Sequence, residues 1–146
     1  MAIASQWQAG RRIYLDASAY LPLLLDEESE IDLRGELADA AVLSSVVLVL
    51  EARRTLVRFA RERAITAEHY QAAMERVTAD IARFVLRDIT LDLCEAHPLP
   101  AVATPRSLDL VHLRTALWFH REEPLHRFLT MDASQGEAAR ELGLPV

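Results

Sequence analysis

The chain reads as an α/β fold, a three-layer α/β/α sandwich around a central, mainly parallel sheet of four to five strands. Short apolar runs such as Ile13-Tyr14-Leu15, Val42-Leu43, Phe84-Val85-Leu86 and Phe128-Leu129 have the length and composition of strands buried on both faces. Each is followed by a longer segment with a helix start signal or helical spacing, so strand and helix alternate along the chain. With only four glycines and no internal repeat, low-complexity tract or Gly/Ser linker, nothing argues for a second domain.

Residues 1–11, rich in small and polar types, read as a flexible leader, and 12–146 as a single domain. Ile13-Tyr14-Leu15 is the first strand and ends at Asp16, after which Ser18 can cap a helix over 19–25. Pro22 fits that helix best near its first turn, where a missing N–H costs nothing. A second helix over 31–40 leads into a strand over 41–44. Periodicity does not separate strand from helix over 42–50, but the Ser44-Ser45 pair favours a strand running into a helix that continues to about residue 63. Thr66 then caps an amphipathic helix on which Tyr70, Ala73, Met74, Val77 and Ile81 recur at helical spacing. Phe84-Val85-Leu86 with Ile89 forms a third strand, Thr90 starts a short helix, and 97–104, with two prolines, is a loop. Another helix opens at Pro105-Arg106-Ser107 and runs to about residue 120. The fourth strand spans 127–130, a helix over 133–142 is closed by Gly143, and Leu144-Pro145-Val146 is a candidate fifth strand.

Composition narrows the function. The lone Cys94 forms no internal disulfide and the N-terminal segment lacks the apolar core of a signal peptide, so the expected location is cytoplasmic. The longest nearly apolar run, 40–50, is too short to span a bilayer and is interrupted by Ser44 and Ser45, so no membrane span is expected. Acidic residues outnumber basic ones 22 to 16, and the net charge of −6 opposes a general electrostatic grip on nucleic acid. That objection weakens where carboxylates cluster to hold cations, because bound metal reverses the local sign. All basic side chains other than histidine are arginine, a bias attributable first to genome composition. Arg11, Arg12, Arg53, Arg54, Arg58 and Arg106 are candidate phosphate contacts, against the ordinary alternative of surface solvation. A Gly-rich nucleotide loop is missing, and neither a second aspartate two residues after Asp16 nor any lysine is present to support a phospho-aspartyl enzyme.

Four acidic residues stand out by position. In a parallel sheet, ligands bind beyond the carboxyl ends of the strands, and Asp16 and Asp132 each follow a strand at that rim. Each could equally be a helix N-cap. Glu51 lies over Val47 and Leu48 on a largely apolar helix, where a carboxylate needs a partner: Arg54, Arg58 or a bound cation. Asp109 falls in the first turn of the helix opened by Ser107, where the helix dipole favours an ionised carboxylate. His112, one turn on, shares its face and reads more readily as a packing residue than as a ligand.

The runs Ile13-Tyr14-Leu15-Asp16-Ala17-Ser18-Ala19, Arg106-Ser107-Leu108-Asp109-Leu110-Val111-His112-Leu113-Arg114-Thr115-Ala116-Leu117 and Phe128-Leu129-Thr130-Met131-Asp132, with Ala138-Ala139-Arg140-Glu141-Leu142-Gly143-Leu144-Pro145-Val146, resemble the PIN-domain toxins of VapBC toxin–antitoxin modules. The resemblance implies a PIN-like, Rossmann-like sheet and an endoribonuclease with Asp16, Glu51, Asp109 and Asp132 as catalytic metal ligands; beside them Ser18 and Thr130 are candidates to hold a water or a carboxylate, with Ser18 alternatively only a helix cap. It also implies magnesium or manganese, an RNA substrate, a homodimer and a cognate antitoxin. An oxygen-only ligand set suits those two ions better than zinc. The chain departs from the family in a longer leader and a less charged 133–136 segment. The helix bearing Tyr20, Leu21, Leu23, Leu24 and Leu25 is apolar on more than one face and is a candidate antitoxin groove. The competing reading is a catalytically silent PIN-like module that binds RNA or protein.

Overall fold

A computed structural model describes residues 10–96, 99–104 and 106–146. Its four strands are β1 (Arg12–Leu15), β2 (Ala41–Ser45), β3 (Val85–Arg87) and β4 (Arg127–Leu129), hydrogen-bonded in the order β3-β2-β1-β4. All three pairings are parallel, with Ile13 opposite Val42 on one side of β1 and Arg127 on the other. The helices are α1 (Ala17–Leu24), α2 (Leu33–Leu37), α3 (Val47–Arg61), α4 (Ala67–Ile81), α5 (Leu91–Glu95), α6 (Ser107–Glu122) and α7 (Ala133–Glu141). The expected α/β sandwich is present.

Alternation along the strands sorts the core into two layers. Ile13, Leu15, Val42 and Leu129 face one side and pack against α1, α3 and α4 through Leu23, Leu24, Leu48, Leu56 and Val77. Tyr14, Leu43 and Phe128 face the other and pack against α6 and α7 through Leu113, Ala116, Phe119 and Ala139. Burial on both faces explains the nearly continuous apolar runs of β1, β2 and β4; β3, at one edge of the sheet, is not buried as expected, with Val85 exposed. After β3 the chain returns to place β4 beside β1, so the strand order reverses between β1 and β4. That reversal opens a crevice at the carboxyl ends of these two strands.

Several local expectations are corrected. The cap of α1 is Asp16, which accepts from the Ala19 amide at 3.1 Å; Ser18 already lies inside the first turn, and its hydroxyl turns back to Asp16 at 2.7 Å. Pro22 is the sixth residue of α1, not part of its first turn, and the helix stops two residues later. The second helix covers only Leu33–Leu37, because Asp32 caps it late and Ala38 is extended ahead of Asp39, whose φ of 58° lies in the left-handed region. Ser45 closes β2 and accepts the Val47 amide at 3.2 Å, while the cap position itself is Val46. Among the described residues Leu144-Pro145-Val146 makes no fifth strand, although the Pro145 carbonyl accepts the Phe128 amide at 2.6 Å; Pro145 has no N–H with which to extend a ladder. Phe84 and Ile89 fall outside β3, and α6 continues to Glu122. Residues 1–9 of the expected leader, 97 and 98 of the expected loop, and Pro105 at the expected helix start lie outside the described residues.

The apolar surplus of α1 belongs to the chain's own core. Of the residues that suggested a groove, Tyr20, Leu23, Leu24 and Leu25 are buried, and Leu21 is half-buried against the same core. No helix among the described residues is long and apolar enough to cross a membrane.

Candidate active site

Each of the four acidic residues is delivered to the crevice by a separate element. Asp16 ends β1, Asp132 follows β4 and caps α7, Asp109 stands in the first turn of α6, and Glu51 lies on α3, which follows β2 directly. All four line one cleft of about 550 Å³, together with Ser18, Arg54, Arg106 and His112. Thr130 is one hydrogen bond removed, paired with Ser18 at 3.1 Å.

Ser18 fastens the ends of β1 and β4 to each other. Its hydroxyl donates to Asp16 Oδ1 at 2.7 Å and accepts the Met131 amide at 2.8 Å. Thr130 Oγ1 in turn accepts the Asp132 amide at 3.1 Å. Asp16 is 4% exposed, and burial pushes its carboxyl upward; Thr130, the nearby His112 ring, Ser18 and the Ala19 amide offset only part of that push. An ionised Asp16 is therefore costly without a cation close by.

Asp109 and Asp132 already share a cation. The Arg106 guanidinium donates from Nε to Asp109 Oδ2 at 2.7 Å and from a terminal nitrogen to Asp132 Oδ2 at 2.6 Å. Thr104, buried, donates to the same Asp109 oxygen at 2.6 Å. Partial burial raises the Asp132 carboxyl, but the Gln135 amide and Arg106 outweigh it and hold it below the usual range. Two carboxylates about 4 Å apart repel by roughly 4 kcal/mol at an effective dielectric near 20, and the guanidinium between them relieves this.

Glu51 has neither of its expected arginine partners. It accepts from His112 Nε2 at 2.7 Å, and the other ring nitrogen meets the Tyr14 hydroxyl at 2.8 Å. His112 is 2% exposed and Tyr14 fully buried. His112 is thus both packed in the core and bonded to a site carboxylate, and Arg106, considered only as a phosphate contact, is tied to two acids.

The residues suit a hard dication in kind: every candidate ligand is a carboxylate, and Arg106 marks where positive charge is held. They are not drawn into a closed cage. Among the described residues no three His, Cys, Asp or Glu side chains stand close enough together to hold a metal ion; Arg106 bridges Asp109 and Asp132, and His112 engages Glu51.

Sequence reasoning passed over Tyr14, Thr104 and Gln135, whose side-chain amide donates to the Asp109 carbonyl at 3.1 Å. The available signals were spacing signals: Arg106 and His112 each lie three residues from Asp109, and Tyr14 lies two residues from Asp16 on one strand.

Among proteins of known identity the chain is similar to "Ribonuclease VapC35" from two strains of Mycobacterium tuberculosis, each 33% identical over 135 residues, covering 92% of this chain and 94% of that protein. No family model matches.

Proposed function

Since the chain belongs to the VapC-like family of PIN-domain ribonucleases, we propose that it is a magnesium- or manganese-dependent endoribonuclease. In this reading 12–146 form one PIN domain behind the leader 1–11. The protein is the toxin of a type II toxin–antitoxin module, works in the cytoplasm as a homodimer, and is neutralised by a cognate antitoxin. One observation carries the catalytic reading: Asp16, Glu51, Asp109 and Asp132 line a single cleft at the point where the strand order of the parallel sheet reverses.

Asp16, Glu51 and Asp109 are the proposed primary ligands, and Asp132 a ligand to a second ion or an orienter of water. The bound dication supplies Lewis acidity, lowering the pKa of water and neutralising charge on the phosphodiester. The chain supplies the rest. Ser18 and Thr130 hold Asp16 in place at the end of β1. Arg106, with a side chain 63% exposed, is long enough to leave the two aspartates and meet a phosphate oxygen. Hydrolysis adds the water oxygen to phosphorus and breaks one phosphorus–ribose oxygen bond, with the water proton ending on the leaving oxygen. No covalent enzyme intermediate is required.

A silent RNA- or protein-binding module is the second reading, favoured by the absence of a closed ligand cage among the described residues. One experiment separates the two: purified chain is incubated with total cellular RNA in magnesium and in chelator, and the new ends are mapped. Magnesium-dependent cleavage that disappears in Asp16→Asn and Asp109→Asn supports the nuclease. Equal cleavage by wild type and Asp16→Asn, or none by well-folded wild type, removes it.

A further inference from the structure

We propose that Tyr14 and His112 are positioning residues for Glu51: the Tyr14 hydroxyl holds the His112 ring with its proton on Nε2, and that N–H sets the direction of the Glu51 carboxylate in the cleft.

Donor and acceptor accounting leads there. A carboxylate only accepts, so at 2.7 Å from Glu51 Oε1 the Nε2 atom carries hydrogen. A neutral ring then presents a lone pair at Nδ1, which requires a donor. The Tyr14 hydroxyl lies 2.8 Å away. A phenol keeps its proton at neutral pH and can donate it. The neighbouring Ser44 and Thr115 hydroxyls give their protons to the Leu15 and Val111 carbonyls at 2.6 and 2.7 Å, and His112 Nδ1 is the atom at hydrogen-bond distance from the Tyr14 hydroxyl.

The ring has little freedom to turn. Tyr14 meets it edge-on, with centroids 5.8 Å apart and planes at 79°, and Phe128 stacks on Tyr14 at 5.3 Å. Strand alternation places Tyr14 on the α6 side of the sheet, two residues before Asp16. β1 therefore governs two of the four acids, Asp16 by peptide connection and Glu51 through His112. Outer-shell partners of this kind fix ligand orientation and commonly influence metal affinity by about 10–100-fold.

The effect on metal binding rests on the proposed ligand role of Glu51; the hydrogen-bond relay does not. Two measurements on the full chain separate them. Long-range proton–nitrogen NMR of the metal-free protein at constant neutral pH is expected to show His112 in the single Nε2–H form, and Tyr14→Phe to lose that single form while staying folded. Calorimetric titration with magnesium alone is expected to show about tenfold or greater weakening in Tyr14→Phe and His112→Leu. His112→Gln, whose amide still donates to Glu51, retains most of the affinity, and Tyr14→Phe adds no loss in a Glu51→Gln background. An unchanged His112 signature in Tyr14→Phe overturns the proposal. So does wild-type affinity in His112→Leu when Glu51→Gln has lost it. If Glu51→Gln itself binds as tightly as wild type, the ligand role of Glu51 fails, and the NMR signature alone decides the relay.

Discussion

Asp16 is the acidic residue whose charge the fold supports least, since its partners are hydroxyls and one amide while burial opposes ionisation. Asp16→Asn keeps an oxygen to cap α1 and removes that charge. Thermal melting without metal is therefore expected to be unchanged or higher, while cleavage falls by about 10²-fold or more. The sign of the pH effect follows. The folded-state pKa of Asp16 is raised above 3.8, so ionised Asp16 destabilises the metal-free fold and the penalty lifts as pH falls through the folded value. Asp132 is held below 3.8, so its stabilisation is present above that value and is lost as pH falls through the lower folded one. In the proposed mechanism cleavage needs Asp16 ionised, so the acid limb of the rate profile should lie above 3.8 and move to lower pH as magnesium rises. Initial rates across pH at several magnesium concentrations check this; a limb indifferent to magnesium would refute it. Arg106 occupies carboxylate oxygens of Asp109 and Asp132 that the proposed dication would need. Arg106→Gln should therefore bind magnesium more tightly by calorimetry while cleaving RNA no faster, and weaker binding would count against the competition.

At the scale of elements, α1 carries Ser18 against Asp16 and is anchored at its other side by the Tyr20 hydroxyl, which donates to Asp80 of α4 at 2.7 Å. A buried hydrogen bond to a charged group contributes about 1.5–3 kcal/mol. Tyr20→Phe should lower stability by about 1–2 kcal/mol in urea denaturation, because Asp80 keeps Arg76, and should leave magnesium affinity unchanged. Elements whose signals are local were legible in the sequence. β1, β2 and β4 declare themselves through short apolar runs, and Thr66 marks the start of α4 by a cap that is present. The α2 boundaries were not legible, because they depend on where Asp39 turns left-handed rather than on apolar spacing. Nor was the side-chain bonding of the acids. Glu51 and His112 are 61 residues apart and Arg106 and Asp132 are 26 apart, so only the folded sheet tells which partner each carboxylate takes. Strand ends located Asp16 and Asp132, helix context pointed to Glu51 and Asp109, and the family resemblance named the four as a set, but none of these revealed that Arg106 stands between Asp109 and Asp132.

At the scale of the whole molecule, a chain of net charge −6 has no general attraction for RNA, so in the proposed reading its affinity depends on the dication held by the cleft's carboxylates together with the arginines at the cleft border. Several arginines are committed elsewhere: Arg11 and Arg127 to Glu36, Arg12 to Glu123, and Arg87 to Asp92. Arg54 and Arg106 border the cleft itself. A long basic track would release many counterions on binding, whereas a cleft-centred grip releases few. For single strands the logarithm of affinity falls with the logarithm of salt at a slope of about −0.7 per phosphate neutralised. At fixed free magnesium, apparent affinity for a short RNA is therefore expected to fall with sodium chloride at a slope of about −1.4 to −2.1, corresponding to two or three phosphates. In chelator the same RNA should bind far more weakly, because Asp16 and Glu51 then face it as uncompensated charge. A steep slope near −6, or binding undiminished by chelator, would place the nucleic acid on a different surface from the acidic cleft.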